Sequence, residues 1–168
     1  MRFALKKRLM ILRLFHLICN YLKRYYDDII SWVIYVKVLT LKQPWATLVA
    51  EGIKIYEFRS WKTKYRGKVL IHAGVGVDKK DMVRFKELNF NYPASKIVAI
   101  ADLDDCLELD EKLNDEIIAE GNIAYGNKRR TGYAWKLKNI KKVKYDAEVK
   151  GKLGLWNYEI NEEDLELI

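Results

Sequence analysis

LKQPWATLVAEGIKIYEFRSW, residues Leu41 to Trp61, is the stretch whose reading decides the fold. Pro44 suits the first turn of a helix, where its missing N–H would be an orphan in any case. Trp45, Leu48 and Val49 recur at helical spacing and give that helix an apolar face. Gly52 ends it, because glycine takes the left-handed conformation that a C-terminal cap requires. From Ile55 to Arg59, strand formers alternate with charges. Successive side chains of a strand point to opposite faces. Glu57 and Arg59 therefore share one face, which Ile55 joins by the same count, while Tyr56 and Phe58 turn to the core. The tip of this helix, turn and strand gathers Lys54, Glu57 and Arg59 with Trp45 and Trp61.

The pattern resembles the ASCH domain, the activating-signal-cointegrator homology family of the PUA-like superfamily. The residues that carry the resemblance are the QPWA of Gln43 to Ala46 and the spaced Gly52, Lys54, Glu57 and Arg59. Four further blocks follow in the family's order: KVLIHAG (68–74), KIVAIADLDDC (96–106), GYAWKL (132–137) and VKGKLGLWNYE (149–159). The resemblance spans residues 37–160. It implies an α+β fold, a small PUA-like β-barrel with flanking helices, and a ligand cleft beside the helix that starts at Pro44.

The 168 residues are enough for one domain with a sizeable core and an appendage. Cys19 and Cys106 lie far apart without metal-ligand spacing, and His16 and His72 are the only histidines. No metal site and no cofactor are expected from that set, and reduced cytosol is the expected compartment. The net charge of +8 is uneven. Residues 1–38 carry eight Lys/Arg against Asp27 and Asp28, a net +6, so the rest is close to neutral. Within that rest the charge is segregated. Seven basic residues between Lys42 and Lys68 face Glu51 and Glu57, and ten between Lys128 and Lys152 face Asp146 and Glu148. If folding brings the two segments to one face, they form a patch suited to phosphate; otherwise they are solvated lysines.

Residues 1–35 are basic and apolar without Gly or Pro, so a helical extension is expected there. Arg13 and His16 interrupt every apolar run well short of the ~18 residues of a membrane span. Three readings stand: an amphipathic helix for a membrane surface or a protein partner, a packing extension, or sequence translated from upstream of the true start. The third is the favoured expectation. It places initiation at Val36, so that 36–168 is the ASCH-like domain and 1–35 is not native.

Downstream, strands are expected at 36–41, 55–59, 68–73, 97–103, 133–137 and 155–160, with a lysine-rich connection before the last. Helices are expected at 44–51, at 78–88 with Asp78 as N-cap, and at 110–120 ending at Gly121. Short strands with few helices point to a small, strongly bent barrel.

Trp45, Trp61, Tyr65, Trp135 and Trp156 offer planes on which bases stack, worth about 1–3 kcal/mol each. Lys54 and Arg59 suit phosphate or a base carbonyl, and Glu57 an exocyclic amine. The expected partner is single-stranded RNA or a modified nucleotide rather than a duplex. Gln43, Trp45, Lys54, Glu57, Arg59, His72 and Trp156 would line the cleft, with Lys62, Lys64, Arg66, Lys128, Arg129 and Arg130 guiding phosphate. Each has a plainer reading: Trp45 and Trp156 as packing, His72 as a hydrogen-bonded strand histidine, and the Lys54–Glu57–Arg59 trio as an ion-pair network. The alternative function is a small hydrolase. Some ASCH proteins resemble amidohydrolases of acylated cytidines that work through a Lys, a Thr and a Glu, and ribonuclease activity has been proposed for others. Lys54 stands at the lysine position, but Glu57 stands where the threonine would be, and 97–103 offers only Asp102 for the glutamate. The catalytic candidates are Lys54, Glu57 and His72.

Overall fold

The computed structural model describes residue 18, residues 33–126 and residues 128–168. The helical extension expected over 1–35 therefore lies almost wholly outside the described residues. Strand β1 (Val33–Gln43) leads through Pro44 into helix α1 (Trp45–Ala50). The chain then turns at Gly52 into β2 (Tyr56–Arg59). Strand β3 (Gly67–Val77) is followed by α2 (Lys79–Arg84) and a 3-10 turn at Lys86–Leu88. Next come β4 (Lys96–Glu108) and α3 (Glu111–Ala119). Strands β5 (Tyr133–Lys144), β6 (Leu155–Asn161) and β7 (Glu166–Leu167) complete the chain.

Aspartates cap two helix starts: Asp78, as expected, and Asp110, expected as the first residue of its helix. Asp78 accepts from the Asp81 N–H, and Asp110 from the Leu113 N–H at 2.8 Å. Each satisfies one of the donors a first turn leaves orphaned. The helix expected over 78–88 breaks into two pieces, and of Met82, Phe85 and Leu88, which would share one face of that helix, only Phe85 is buried, edge-on to Trp45. Helix α1 is buried on almost every side, from Ala46 to Ala50, rather than along one face. Strands β3, β4 and β5 run longer than expected. In β5 the extra length is the lysine-rich segment, whose charged side chains stand outward while Leu137 and Val143 turn inward.

The strands form one seven-stranded sheet in the order β2-β5-β4-β3-β1-β6, with β7 paired to the far end of β5. β1 and β3 are parallel; the β2–β5, β3–β4 and β4–β5 pairs are antiparallel. Register shifts at Ile71/His72, Ile100/Asp102 and Leu103/Asp105 bend the long strands, as bulges do. The expected closed barrel is corrected: the sheet is an open path, with β2 and β6 at its two ends. Four residues of β2 are too short to build a closing ladder. The gap is bridged instead by a side chain, since Arg59 Nη2 on β2 donates to the Thr40 carbonyl on β1 at 3.1 Å.

Among the described residues, two apolar clusters hold this arrangement. One packs the sheet against α1, with Leu39, Val49, Ile71, Leu103, Trp135 and Leu137 among its members. The other packs Tyr56 and Phe58 of β2 against Ile117 of α3, Ala124 and Tyr125. At about 25 cal/mol per Å² of apolar area removed from water, such cores are the main favourable term in folding. β2 is thus committed to apolar packing on one face, and its opposite face is left for Glu57 and Arg59.

Candidate functional site

A cleft of about 700 Å³ opens where the sheet fails to close. Its lining includes Thr40 and Lys42 from β1, Trp45 from α1, Glu57 and Arg59 from β2, and the strap Lys150–Gly154 that precedes β6. A smaller cavity of about 160 Å³ adjoins it, lined by Trp45, Lys54, Glu57, Phe58, Ala124 and Arg130. Trp45 and Glu57 border both spaces.

Glu57 is the electrostatic centre. Its Oε2 lies 2.6 Å from Lys54 Nζ and its Oε1 3.1 Å from Arg59 Nε. Lys54 is 3% exposed; besides Glu57 its ammonium meets the Tyr56 carbonyl and sits 5.3 Å from the Phe58 ring centre. Burial pulls its pKa below the ordinary 10.5, because the interior disfavours the charged form, and the Glu57 carboxylate opposes that pull. The Arg59 Nε–H is buried and not aimed along a hydrogen bond, although Glu57 lies within ion-pair distance. We read that contact as electrostatic attraction without hydrogen-bond directionality. The guanidinium's directed bond is the one to Thr40.

The remaining expected residues divide. Trp45 reaches the cleft half-buried. Gln43 is turned inward, where Nε2 donates to the Pro93 carbonyl at 2.8 Å and Oε1 accepts from the Thr47 N–H at 3.2 Å. Trp156 is buried and donates its indole N–H to Thr40 Oγ1 at 3.1 Å. His72 is 1% exposed, with Nε2 2.9 Å from the Val149 carbonyl and Nδ1 3.2 Å from Thr40 Oγ1. Lys62, Lys64 and Lys128 are exposed, Arg66 pairs with Asp105 at 2.7 Å, and Arg129 pairs with Asp115. Arg130 lies 4.4 Å from the Phe58 ring centre and donates to the Tyr125 and Lys128 carbonyls, which places it in the small cavity. Among the described residues no group of His, Cys, Asp and Glu is arranged to hold a metal ion, and no helix is long and apolar enough to cross a membrane.

Two contributors are only partly legible in the sequence. One is the strap, whose Lys150 and Lys152 read as members of a long basic segment and not as cleft-lining residues. The other is Tyr125, whose buried hydroxyl accepts the Ile55 and Tyr56 N–H groups, both at 2.8 Å, and so aims β2. A lone tyrosine in a polar loop, 122–128, was the signal available.

Burial also lowers the His72 pKa from its ordinary 6.5, outweighing the bond to Val149. A histidine whose folded pKa lies below its unfolded one stabilises the fold fully above the unfolded value. That contribution is lost as the pH falls through and below about 6.5. Urea midpoints should therefore drop between pH 7 and 5 in the wild type and drop less in His72→Gln; equal slopes would sink this assignment.

A family model for the ASCH domain matches residues 39–153, which takes in every lining residue of the cleft but Gly154. The chain belongs to the ASCH domain family. A segment of 81 residues is 35% identical to Activating signal cointegrator 1 of Homo sapiens, covering 41% of this chain and 14% of that protein. The protein of the same name from Mus musculus is 36% identical over the same length, with the same coverage. This ASCH chain thus matches only about a seventh of the length of those relatives. Crystal structures of ASCH from Zymomonas mobilis and of a point mutant of it align at a TM-score of 0.43 and 12% identity. They cover 76% of this chain, and 89% and 91% of theirs respectively.

Proposed function

We propose that this ASCH domain binds single-stranded RNA or a modified nucleotide in the cleft at the open seam of its sheet. The observation that carries the reading is the cleft's lining. Arg59, Lys42, Lys150 and Lys152 surround a space of about 700 Å³ whose one lining carboxylate, Glu57, is already ion-paired. Such a cavity favours an anionic ligand, and its volume suits a nucleotide unit. Half-buried Trp45 supplies an aromatic surface, and Glu57 an acceptor for an exocyclic amine. Phosphate tracking falls to Lys42, Lys150 and Lys152 as much as to the outlying Lys62, Lys64 and Lys128, since Arg66 and Arg129 are held by carboxylates.

The test is a titration of the full chain with a labelled single-stranded RNA octamer at two salt concentrations. Three to four phosphate contacts give a log–log salt slope of about −2 to −3. Arg59→Ala should weaken binding by about 1–3 kcal/mol and flatten that slope. Salt-independent binding, or Arg59→Ala binding like the wild type, would overturn the reading.

A small hydrolase is the second reading, favoured by the depressed pKa of Lys54 beside Glu57 at the small cavity. Turnover of an acylated nucleoside that ignores salt and disappears in Lys54→Ala would put it first.

A further inference from the structure

The strap Lys150–Gly154 carries two of the cleft's cations, yet its own side chains are solvent-facing; Leu153 is 99% exposed. What holds it lies beneath. At one end the Val149 N–H donates to the Ser95 carbonyl at 2.8 Å, and the Val149 carbonyl lies 2.9 Å from His72 Nε2. In the middle, Gly151 is pressed onto the sheet so closely that a Cβ there would stand 2.8 Å from His72 Cε1 and 3.0 Å from Thr40 Cγ2. At the other end Trp156 donates to Thr40 Oγ1 at 3.1 Å.

These contacts have one consistent direction. A carbonyl can only accept, so His72 carries its proton on Nε2 and donates it to Val149. Nδ1 is then bare and accepts from the Thr40 hydroxyl. The Thr40 oxygen in turn accepts from the indole N–H. A hydroxyl can donate and accept at once, which a valine side chain of the same shape cannot do. The same residue, through its main-chain carbonyl, also receives the guanidinium of Arg59.

We propose that Thr40 is a positioning residue for the cleft: its hydroxyl locks His72 and Trp156 into one directed chain that holds the strap, and with it Lys150 and Lys152, in the same space as Arg59. The functional half of this inference rests on the nucleic-acid reading above; the structural half does not. Thr40 need not touch the ligand to act. It sets the distance between the strap cations and Arg59, and so how well one phosphodiester segment meets both.

Two measurements on the full chain test it. In hydrogen–deuterium exchange, Thr40→Val should raise exchange of the Val149 amide, whose N–H donates to Ser95 at the root of the strap, by about tenfold, with β3 and β4 unchanged, while Thr40→Ser exchanges like the wild type. Unchanged Val149 exchange in Thr40→Val overturns the proposal. If Thr40→Val instead loosens the whole domain, Gly151→Ala carries the test. Its added carbon presses on the His72 and Thr40 side chains and displaces the strap without replacing any residue of the sheet, so it should give the same local rise; wild-type exchange in Gly151→Ala also overturns the proposal. In titrations with the RNA octamer, Thr40→Val and Lys150→Ala/Lys152→Ala should each weaken binding by about five- to tenfold, and all three changes together little more than the lysine pair alone. Multiplying effects would mean that Thr40 acts independently of the strap, contrary to the proposal. Absence of RNA binding by the wild type would overturn the functional reading instead, and the exchange data would still decide whether Thr40 places the strap.

Discussion

Replacing Glu57 with alanine should lower the stability of the fold by about 3–5 kcal/mol, the range for leaving buried charge without its partner. Glu57 is 8% exposed and Lys54 3%, so neither charge has bulk water to fall back on. Once the carboxylate is gone, the Lys54 ammonium keeps only the Tyr56 carbonyl and the faces of Phe58 and Trp45, at 5.3 and 6.0 Å. Arg59 loses its carboxylate as well. Its side chain is more exposed, at 23%, so solvent recovers part of that loss. The deficit should depend on pH in a defined direction. The folded-state pKa of Lys54 already lies below its ordinary 10.5 because of burial, and removing Glu57 deletes the contribution that opposes the fall. The penalty is therefore fully present below the folded-state pKa, where the buried lysine is charged, and shrinks as the pH rises through that value toward the unfolded one. Adding Lys54→Met to Glu57→Ala should restore part of the loss, since the stranded charge goes with it. Urea denaturation of the single and double variants at pH 7 and 9.5 measures this. A Glu57→Ala midpoint equal to the wild type, or no recovery with Lys54→Met, would show that the trio contributes no buried electrostatics.

That trio was legible because its logic is local. Pro44 and Gly52 punctuate a helix within ten residues, and the period of two on a strand puts Glu57 and Arg59 on one face whatever the rest of the chain does. The Asp78 N-cap was legible for the same reason. What failed is long-range. A strand count does not say whether the last pairing forms, and here the four residues of β2 leave a seam that Arg59 spans by side chain. The strap is separated from Arg59 by more than ninety residues, and lysines in a Gly-containing loop carry no mark of the cavity they border. Gln43, His72 and Trp156 were expected to line the cleft; His72 borders it, while Gln43 and Trp156 do not. The polar atoms of all three are bonded to Pro93, Thr47, Val149 and Thr40, partners that only the folded topology brings near.

Gly132→Ala tests whether the seam's geometry, and not only its composition, matters; it should cost about 3 kcal/mol and weaken RNA binding as well. Gly132 sits just before β5 with φ +97°, a region that disfavours any side chain. A Cβ there would lie 2.5 Å from the Arg59 carbonyl oxygen and 3.2 Å from Ser60 Cα. Both are backbone atoms at the end of β2, so no side-chain rotation can relieve the contact. Gly132 cannot easily retreat, because its own carbonyl accepts the Leu109 N–H at 2.9 Å and its neighbour Tyr133 pairs with Arg59. The strand that must yield is β2, and Arg59, which spans the seam to the Thr40 carbonyl at 3.1 Å, moves with it. Gly121→Ala is the control. It also has a positive φ, +65°, but nothing lies within 4 Å of the added carbon, so it should cost only about 1 kcal/mol and leave binding intact. Denaturation midpoints and octamer titrations of the two variants, side by side, separate the effects. Equal stability losses would remove the clash argument. A large loss in Gly132→Ala with wild-type RNA affinity would mean that the cleft tolerates displacement of Arg59, and the positioning argument for the seam would fall.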